Sequence, residues 1–185
     1  MSDASSPSPR ALEIIAAARE LLEKEGPDAV SMRRVADRIG IRAPSLYKHF
    51  PDKAAVEAAL TAVAMAELAE ALEACEHTAD ADPIATLTAA YRAYALAHPH
   101  LYRLMSDRPL DREALPEGLE DRAAGPLVRA TDGDPDVARA IWAFAHGMVV
   151  LELAGRFPPG VDLSGAWARG SAAFADRTRP SHSRE

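Results

Sequence analysis

The chain has 185 residues, a formal net charge of −7 and a hydrophobic fraction of 48%, enough apolar material for a buried core. Its one cysteine, Cys75, excludes an intramolecular disulfide and any multi-thiolate metal site. Strong helix formers dominate and no sustained alternation of strand formers occurs, so the predicted fold is all-α. We expect a cytoplasmic protein outside the membrane, because the sequence contains neither a secretory leader pattern nor an apolar run of roughly eighteen residues.

The first predicted helix opens at Ser8-Pro9 and stops at Gly26-Pro27. Leu12, Ile15 and Leu22 recur along one side of it. This spacing indicates a helix that closes a small three-helix core. Residues 1–8 are rich in serine and proline, which predicts a disordered tail.

Residues 31–53 predict two short helices joined by a tight turn. Ser31 is a suitable N-cap for the first helix, and Gly40 stands where a helix end needs a left-handed residue. Pro44 then falls in the first turn of the second helix, where a missing N–H is tolerated. This arrangement is typical of a helix-turn-helix, whose second helix lies in the major groove of DNA.

The charge of this stretch supports a DNA-binding role. Residues 31–53 contain six basic and two acidic side chains, a net charge of +4 within a chain of net charge −7. A basic island on an acidic protein is sufficient for phosphate attraction. The alternative is a solvated helical hairpin that serves only for packing.

A pattern at fixed spacing covers about residues 10–60. Its members are Ile14, Ile15, Ala17, Ala18, Leu21, Leu22, Gly26, Ser31, Val35, Ala36, Ile39, Gly40, Ile41, Leu46, Tyr47, His49, Phe50 and Lys53. This pattern resembles the N-terminal domain of TetR-type (tetracycline-repressor-like) transcriptional regulators. One position departs from it, because Arg42 stands where the family usually has a Ser or Thr that caps the recognition helix.

Ten residues form the predicted DNA-contacting set: Ser31, Arg33, Arg42, Ala43, Pro44, Ser45, Tyr47, Lys48, His49 and Lys53. We expect Arg33 to reach a base edge, with guanine as its preferred target. Residues 43–45 are small enough to lie against base edges or a thymine methyl group. Four further members are expected to hold phosphates, which fix register without reading sequence: Ser31, Tyr47, His49 and Lys53. Lys48 and Arg42 suit either a phosphate or a base.

A longer helix is predicted over residues 52–75, capped by Asp52. With a rotation of 100° per residue, Val56 and Leu60 in its first half fall on one side of the helix. Leu68 and Leu72 in its second half fall on another side. Such a helix serves two cores and can carry a displacement from one to the other. The predicted domains are therefore a helix-turn-helix domain over 9–54 and a ligand-binding and dimerisation domain over 55–177, which helix 52–75 links. Residues 178–185 form a second predicted tail.

The C-terminal half carries two strongly apolar helices after a predicted loop at 106–118. From Ala140 to Leu151 only His146 is polar, so this helix should be buried on all sides, either within its domain or at a subunit interface. The last helix has a stripe that includes Trp167, Gly170 and Phe174. Two such helices in a small domain predict a four-helix bundle made by two copies, and hence a homodimer.

Aromatic residues with polar tips predict a ligand pocket, because they suit a cavity wall better than a dry core. The predicted lining is Tyr91, Tyr94, His98, Tyr102, Met105, Trp142 and His146. This region also resembles a TetR-type ligand-binding subclass marked by Trp, His and Gly, which implies a dimer that holds a small effector. His98 and His100 do not follow a known metal-ligand spacing, so no metal or other cofactor is expected.

The sequence contains no phosphate-cradling glycine loop, nucleophile elbow or supported carboxylate pair, so we do not expect an enzyme. The predicted function is a transcriptional repressor. Its expected partners are a palindromic double-stranded DNA operator, a second copy of the chain and an unidentified small-molecule effector. Two alternatives remain open: a constitutive DNA-binding protein without an effector, and an all-α binding protein or enzyme that uses the motif for packing.

Overall fold

A computed structural model describes residues 7–76 and 82–178. Over these residues the chain forms nine α-helices and no strand, which confirms the predicted all-α fold. None of these helices combines the length and apolarity that a membrane-spanning segment needs. The two predicted tails, apart from residues 7, 8 and 178, lie outside the described residues.

The chain divides into two compact units. The first comprises the chain through Ala66 together with His98–Glu120, and the second comprises Glu67–Ala97 together with the chain from Asp121. Helix α4 (Lys53–Glu73) contributes residues 53–66 to the first unit and residues 67–73 to the second. Its Val56, Leu60 and Ala64 side chains are buried in the core of the first unit.

Three helices precede α4 in the first unit: α1 (Pro9–Glu25), α2 (Met32–Arg38) and α3 (Ala43–Leu46). Their shared core is apolar and fully or nearly fully buried, and it includes Ile14, Leu22, Val35 and Leu46. Ser8 caps α1 as predicted, since its hydroxyl accepts from the Ala11 amide at 3.2 Å. Leu12 is exposed although it shares its spacing with Ile15 and Leu22. Leu12 lies nine residues before the buried Leu21, which is about 180° around the helix at 100° per residue, so it faces away from the core.

Helix α6 (Pro99–Ser106) also belongs to the first unit. Its Leu101 is fully buried in the same core, and the Leu101 amide donates to Glu23 Oε1 of α1 at 3.1 Å. An α1 carboxylate thus satisfies one of the unpaired amides at the α6 N-terminus. The predicted loop after α6 contains a 3₁₀ turn at Arg112–Ala114, where Asp111 accepts from the Ala114 amide.

The second unit is built from α5 (Pro83–Ala97), most of α7 (Leu119–Ala130), α8 (Pro135–Leu153) and α9 (Ser164–Thr178). Helix α5 packs against both α8 and α9. Asp82 and Asp134 cap α5 and α8, and each is followed by a proline at the first helical position.

Helix α8 is buried on one side only. Ile141, Ala145 and Val149 face the core of the second unit, whereas Trp142 is 51% exposed and Leu151 is 41% exposed. The prediction that this helix is buried on every side within its own domain is therefore wrong. Its apolar composition serves two faces, one turned to the core and the other to solvent in the single chain.

Candidate DNA-binding surface

Helix α2 is fixed at both ends by its own sequence. The Ser31 hydroxyl accepts from the Arg34 amide at 3.3 Å, which is an N-cap hydrogen bond. At the other end Gly40 has a φ of 69°, a left-handed conformation that glycine adopts without strain. The Ile41 amide bonds to the Ala36 carbonyl at 3.0 Å, which completes a Schellman end. These contacts confirm the predicted cap and turn.

Helix α3 is short and begins without a side-chain cap. Arg42 occupies the N-cap position and makes no capping hydrogen bond. Pro44 lies in the first turn, and the buried Leu46 anchors the helix to the core. The chain then tightens, because the His49 amide bonds to the Leu46 carbonyl only three residues back, at 2.9 Å. Residues 43–49, which we call the recognition element, are therefore one α-helical turn followed by a tighter turn.

Most of the predicted DNA-contacting residues lie on the surface. Those that are exposed are Arg33, Arg42, Pro44, Ser45, Tyr47, Lys48 and His49, whereas Ser31, Ala43 and Lys53 are half-buried. Among the described residues, neither Arg42 nor Lys48 has a hydrogen-bond or ion-pair partner. Their charges are thus available to an external anion.

Two other arginines of the motif are held by α1. Arg34 Nη2 lies 2.6 Å from Glu25 Oε2, and Arg38 forms an ion pair with Glu20. Hydrogen bonds from Lys24 and Arg38 lower the pKa of Glu20 below its usual value of 4.5. Arg34 and Arg38 therefore fasten α2 to α1, and the sequence-derived charge of +4 overstates what the motif offers to DNA.

Lys53 stands at the start of α4 with two neighbours of its own. Its Nζ donates to the Pro27 carbonyl at 3.4 Å and lies 3.5 Å from Glu57 Oε1. Asp52 caps the same helix end, accepting from the Ala55 amide at 2.8 Å. Lys53 thus ties α4 to the Pro27–Ala29 turn, a role that the sequence analysis missed. Its one local signal is the i,i+4 spacing of Lys53 and Glu57.

Four of the predicted ligand-pocket residues lie in the second unit. Trp142 Nε1 donates to the Tyr91 hydroxyl at 3.2 Å, and the Trp142 and His146 ring centroids are 6.3 Å apart. Tyr94 donates to Glu67 Oε2 at 3.3 Å. Tyr91 and Tyr94 are buried, whereas Trp142 is half exposed. The structure thus brings Tyr91, Trp142 and His146 together.

The other three predicted pocket residues, His98, Tyr102 and Met105, belong to the first unit. Tyr102 is completely buried, and Met105 lines a cavity of that unit. Among the described residues no group of three or more His, Cys, Asp or Glu side chains is arranged to hold a metal ion.

Comparison with known proteins places this geometry in a family. The family model for bacterial regulatory proteins of the tetR family matches residues 14–60, which contain α2, the turn and α3. A second model, the tetracyclin repressor-like C-terminal domain, matches residues 84–174. The chain belongs to the TetR family. It is accordingly a DNA-binding transcriptional regulator with an N-terminal helix-turn-helix.

Three known proteins illustrate the similarity of this TetR-family chain to others. An uncharacterized HTH-type transcriptional regulator of Mycobacterium tuberculosis is 27% identical over 77% of this chain and 69% of its own length. The tetracycline repressor protein class A of Escherichia coli is 44% identical over 57 residues, which are 31% of this chain and 25% of that protein. The solved structure of a protein with unknown function from Rhodococcus sp. RHA1 has a TM-score of 0.76 at 25% identity, and the match covers 96% of this chain and 98% of that chain.

Proposed function

We propose that this TetR-family regulator is a repressor that binds a pseudo-palindromic operator as a homodimer and leaves it when a small-molecule effector binds. It would act in the cytoplasm, as a regulator without enzyme activity. The observation that carries the proposal is which basic side chains of residues 31–53 are exposed without a partner and which are paired with carboxylates. Arg42 and Lys48 are exposed without partners among the described residues, whereas Arg34 and Arg38 are neutralised by α1 carboxylates.

The proposed DNA contacts follow from this division. Arg33 is 89% exposed along its side chain, and its only ion-pair neighbour among the described residues, Asp37, lies 3.9 Å away. A bidentate contact from Arg33 to guanine O6 and N7 would replace that weak pair. Tyr47, Lys48 and His49, exposed at the end of the recognition element, are proposed to hold phosphates, with Ser45 against a base edge.

The proposal of a homodimer rests on the solvent face of α8. Trp142, Val150 and Leu151 are large apolar side chains of this one helix, and they are 51%, 39% and 41% exposed. Several exposed apolar side chains on one element are typical of a protein–protein interface. An open groove of about 500 Å³ continues this face between α8 and α9, lined by Val137, Ala140, Ala173 and Phe174 together with Asp136. Two helices from each of two copies would bury these surfaces in a four-helix bundle.

The proposed effector site centres on Tyr91, Trp142 and His146, whose polar tips share one neighbourhood of the second unit. Tyr94, which lies in the same unit, remains a proposed lining residue. The E. coli relative is named for tetracycline repression, and we infer by analogy that a small organic molecule regulates this chain. The effector must prefer the DNA-unbound form by roughly 1–3 kcal/mol for a useful switch.

Selection of bound sequences from random DNA tests the specific-repressor part of the proposal. We expect enrichment of two inverted half-sites with centres about 34–36 Å apart, or a multiple of that spacing. Arg33→Ala should relax base preference by about 1–3 kcal/mol at one position of each half-site. Arg156→Ala, which removes an exposed arginine outside the motif, is the matched control and should leave the preference unchanged.

The alternative without an effector predicts the same operator and the same salt-dependent binding. A thermal-shift screen of small metabolites, followed by operator release measured by fluorescence anisotropy, distinguishes the two. A compound that raises the melting temperature and weakens operator binding supports the effector.

In the selection from random DNA, a set of bound sequences without an inverted repeat would contradict specific repression by a homodimer.

A further inference from the structure

A cavity of about 220 Å³ lies within the first unit. One wall is the first half of α4, the second is the end of α6, and the third is the segment 108–115. Its lining residues are Ala54, Glu57, Ala58, Thr61, Leu104, Met105, Arg108, Pro109, Leu110, Asp111 and Leu115. Its volume lies below the roughly 300–1,000 Å³ typical of drug-sized ligands, so an occupant must be small.

The cavity owes its open space to the sequence of α4. Ala54, Ala58 and Thr61 follow helical spacing on the side of α4 that lines the cavity. Small side chains at these positions leave room that a leucine would fill. The two walls formed by α6 and the segment 108–115 are mostly apolar, and Leu104 and Leu110 are among their lining residues.

One carboxylate inside the cavity is largely withdrawn from water. The Glu57 side chain is only 13% exposed, and its Oε2 accepts from Arg108 Nη1 at 2.6 Å. The Arg108 side chain is 61% exposed and follows α6. A second carboxylate, Asp111, also lines the cavity. Two carboxylates and one guanidinium give the lining residues a net charge of −1, and Lys53 lies just outside the lining with its Nζ 3.5 Å from Glu57 Oε1.

We propose that this cavity binds a small organic monocation, namely a primary amine on a compact apolar body. The ammonium would donate to Glu57 in place of Arg108, whose exposed guanidinium can return to solvent at little cost. The apolar body would occupy the space above Ala58. The site lies apart in sequence from Tyr91, Trp142 and His146 and does not depend on the proposed effector site.

The proposal makes Arg108 a competitor of the ligand. Removal of its guanidinium frees Oε2 of Glu57, while Lys53 stays 3.5 Å from Oε1. An incoming ammonium can then bind Oε2 without displacing Arg108. Arg108→Ala should therefore tighten amine binding. A gain of affinity in this variant cannot arise from partial unfolding, so it separates a binding role from a structural one.

Isothermal titration calorimetry of the full chain without DNA tests the proposal, with 2-phenylethylamine as the probe. 3-Phenylpropanoate is the control ligand, since it has a similar apolar body and the opposite charge. We expect binding of the amine and none of the carboxylate. Glu57→Gln should weaken amine binding roughly tenfold through loss of a charge-assisted hydrogen bond, and Ala58→Leu should abolish it by filling the space. Glu13→Gln, which removes an exposed α1 carboxylate outside the cavity, should have no effect.

Absence of amine binding would overturn the proposal, as would binding that Glu57→Gln and Ala58→Leu leave unchanged. Equal or tighter binding of 3-phenylpropanoate would also contradict it. If Trp142→Ala rather than Glu57→Gln abolishes binding, the amine occupies the proposed effector site and the inference fails. Because no DNA is present, these outcomes are independent of whether the chain is a repressor.

Discussion

The indole of Trp167 on α9 donates its N–H to Glu152 Oε1 on α8 at 2.7 Å. The other oxygen of the same carboxylate accepts from Arg92 on α5, from Nη2 at 2.8 Å and from Nε at 3.1 Å. The Arg92 guanidinium also lies 5.5 Å from the Trp167 ring centroid, within cation–π range. One carboxylate thus joins three helices of the second unit, α5, α8 and α9.

Substitution Glu152→Ala should strongly destabilise the second unit. The Glu152 side chain is 9% exposed, so its removal leaves the Trp167 N–H and the Arg92 charge without their acceptor. Breaking a buried pair costs roughly 3–5 kcal/mol. Arg92 is 31% exposed, and we therefore expect a smaller loss, about 2–3 kcal/mol in the free energy of unfolding. Urea titration followed by tryptophan fluorescence measures it.

Glu152→Gln is the matched variant, because it keeps an oxygen acceptor for the indole and removes only the charge. Its loss should be smaller than that of Glu152→Ala. Arg139→Ala, which breaks an ion pair with a 71% exposed arginine, should change the free energy of unfolding by less than about 1 kcal/mol. Equal effects of Glu152→Ala and Arg139→Ala would show that the three-helix contact does not stabilise the unit.

Gly170 permits α9 to approach α8 closely. A Cβ built at this position would overlap the ring tip of Phe144, which is itself packed against Trp167 and Phe174. Gly170→Ala should therefore destabilise the chain by about 1–3 kcal/mol through overpacking, despite the better helix propensity of alanine. Gly165→Ala in the same helix meets no atom within 4 Å and should be neutral or slightly stabilising. Thermal unfolding of the two variants, compared with wild type, tests this contrast.

The local rules of the motif could be predicted from sequence, whereas its long-range contacts could not. Ser31 as a cap and Gly40 as a turn depend on neighbours within a few residues, and both predictions are confirmed. The pairing of Arg38 with Glu20 spans 18 residues of sequence, and the bond from Leu101 to Glu23 spans 78. Neither has a local signature, because each depends on how helices pack. The cavity beside α4 was missed for the same reason.

The α8 face shows a second limit of sequence reasoning. Composition alone predicts that an apolar helix is buried, and it does not distinguish burial by the same chain from burial by another copy. Trp142 and Leu151 are exposed in the single chain, while Ile141 is fully buried. The periodicity of the helix cannot separate these two faces, because apolar residues occupy both of them.

Acidification should weaken the attachment of α7 to the end of α4. Arg122 bonds to both oxygens of Glu73, at 2.8 and 2.7 Å, and these hydrogen bonds lower the pKa of Glu73 below its usual 4.5. The folded state therefore binds fewer protons here than the unfolded state. Its stabilising contribution is complete above about pH 4.5 and is lost as the pH falls through the lowered folded pKa.

Urea unfolding at a series of acidic pH values measures this effect. Glu73→Gln should be less stable than wild type near neutral pH, and its free energy of unfolding should fall less steeply on acidification. Glu117→Gln, at an exposed carboxylate without an ion-pair partner among the described residues, is the control and should retain the wild-type slope. If the Glu73→Gln slope also matches wild type, the pair does not contribute to acid sensitivity.

We expect Arg42 to lower the stability of helix α3 and to raise the affinity for DNA. It occupies the N-cap position of α3 without capping it, so Arg42→Thr should supply the missing hydrogen bond and raise the free energy of unfolding by about 0.5–1 kcal/mol. The same change removes an exposed positive charge.

If Arg42 holds a phosphate, operator binding weakens in the Arg42→Thr variant and the slope of log affinity against log salt falls in magnitude by about 1. Arg42→Ala removes the charge without adding a cap, so it should weaken DNA binding to a similar degree without stabilising the chain. Unfolding and fluorescence anisotropy measured on both variants separate the two roles, and an unchanged salt slope in both would exclude Arg42 from the phosphate contacts.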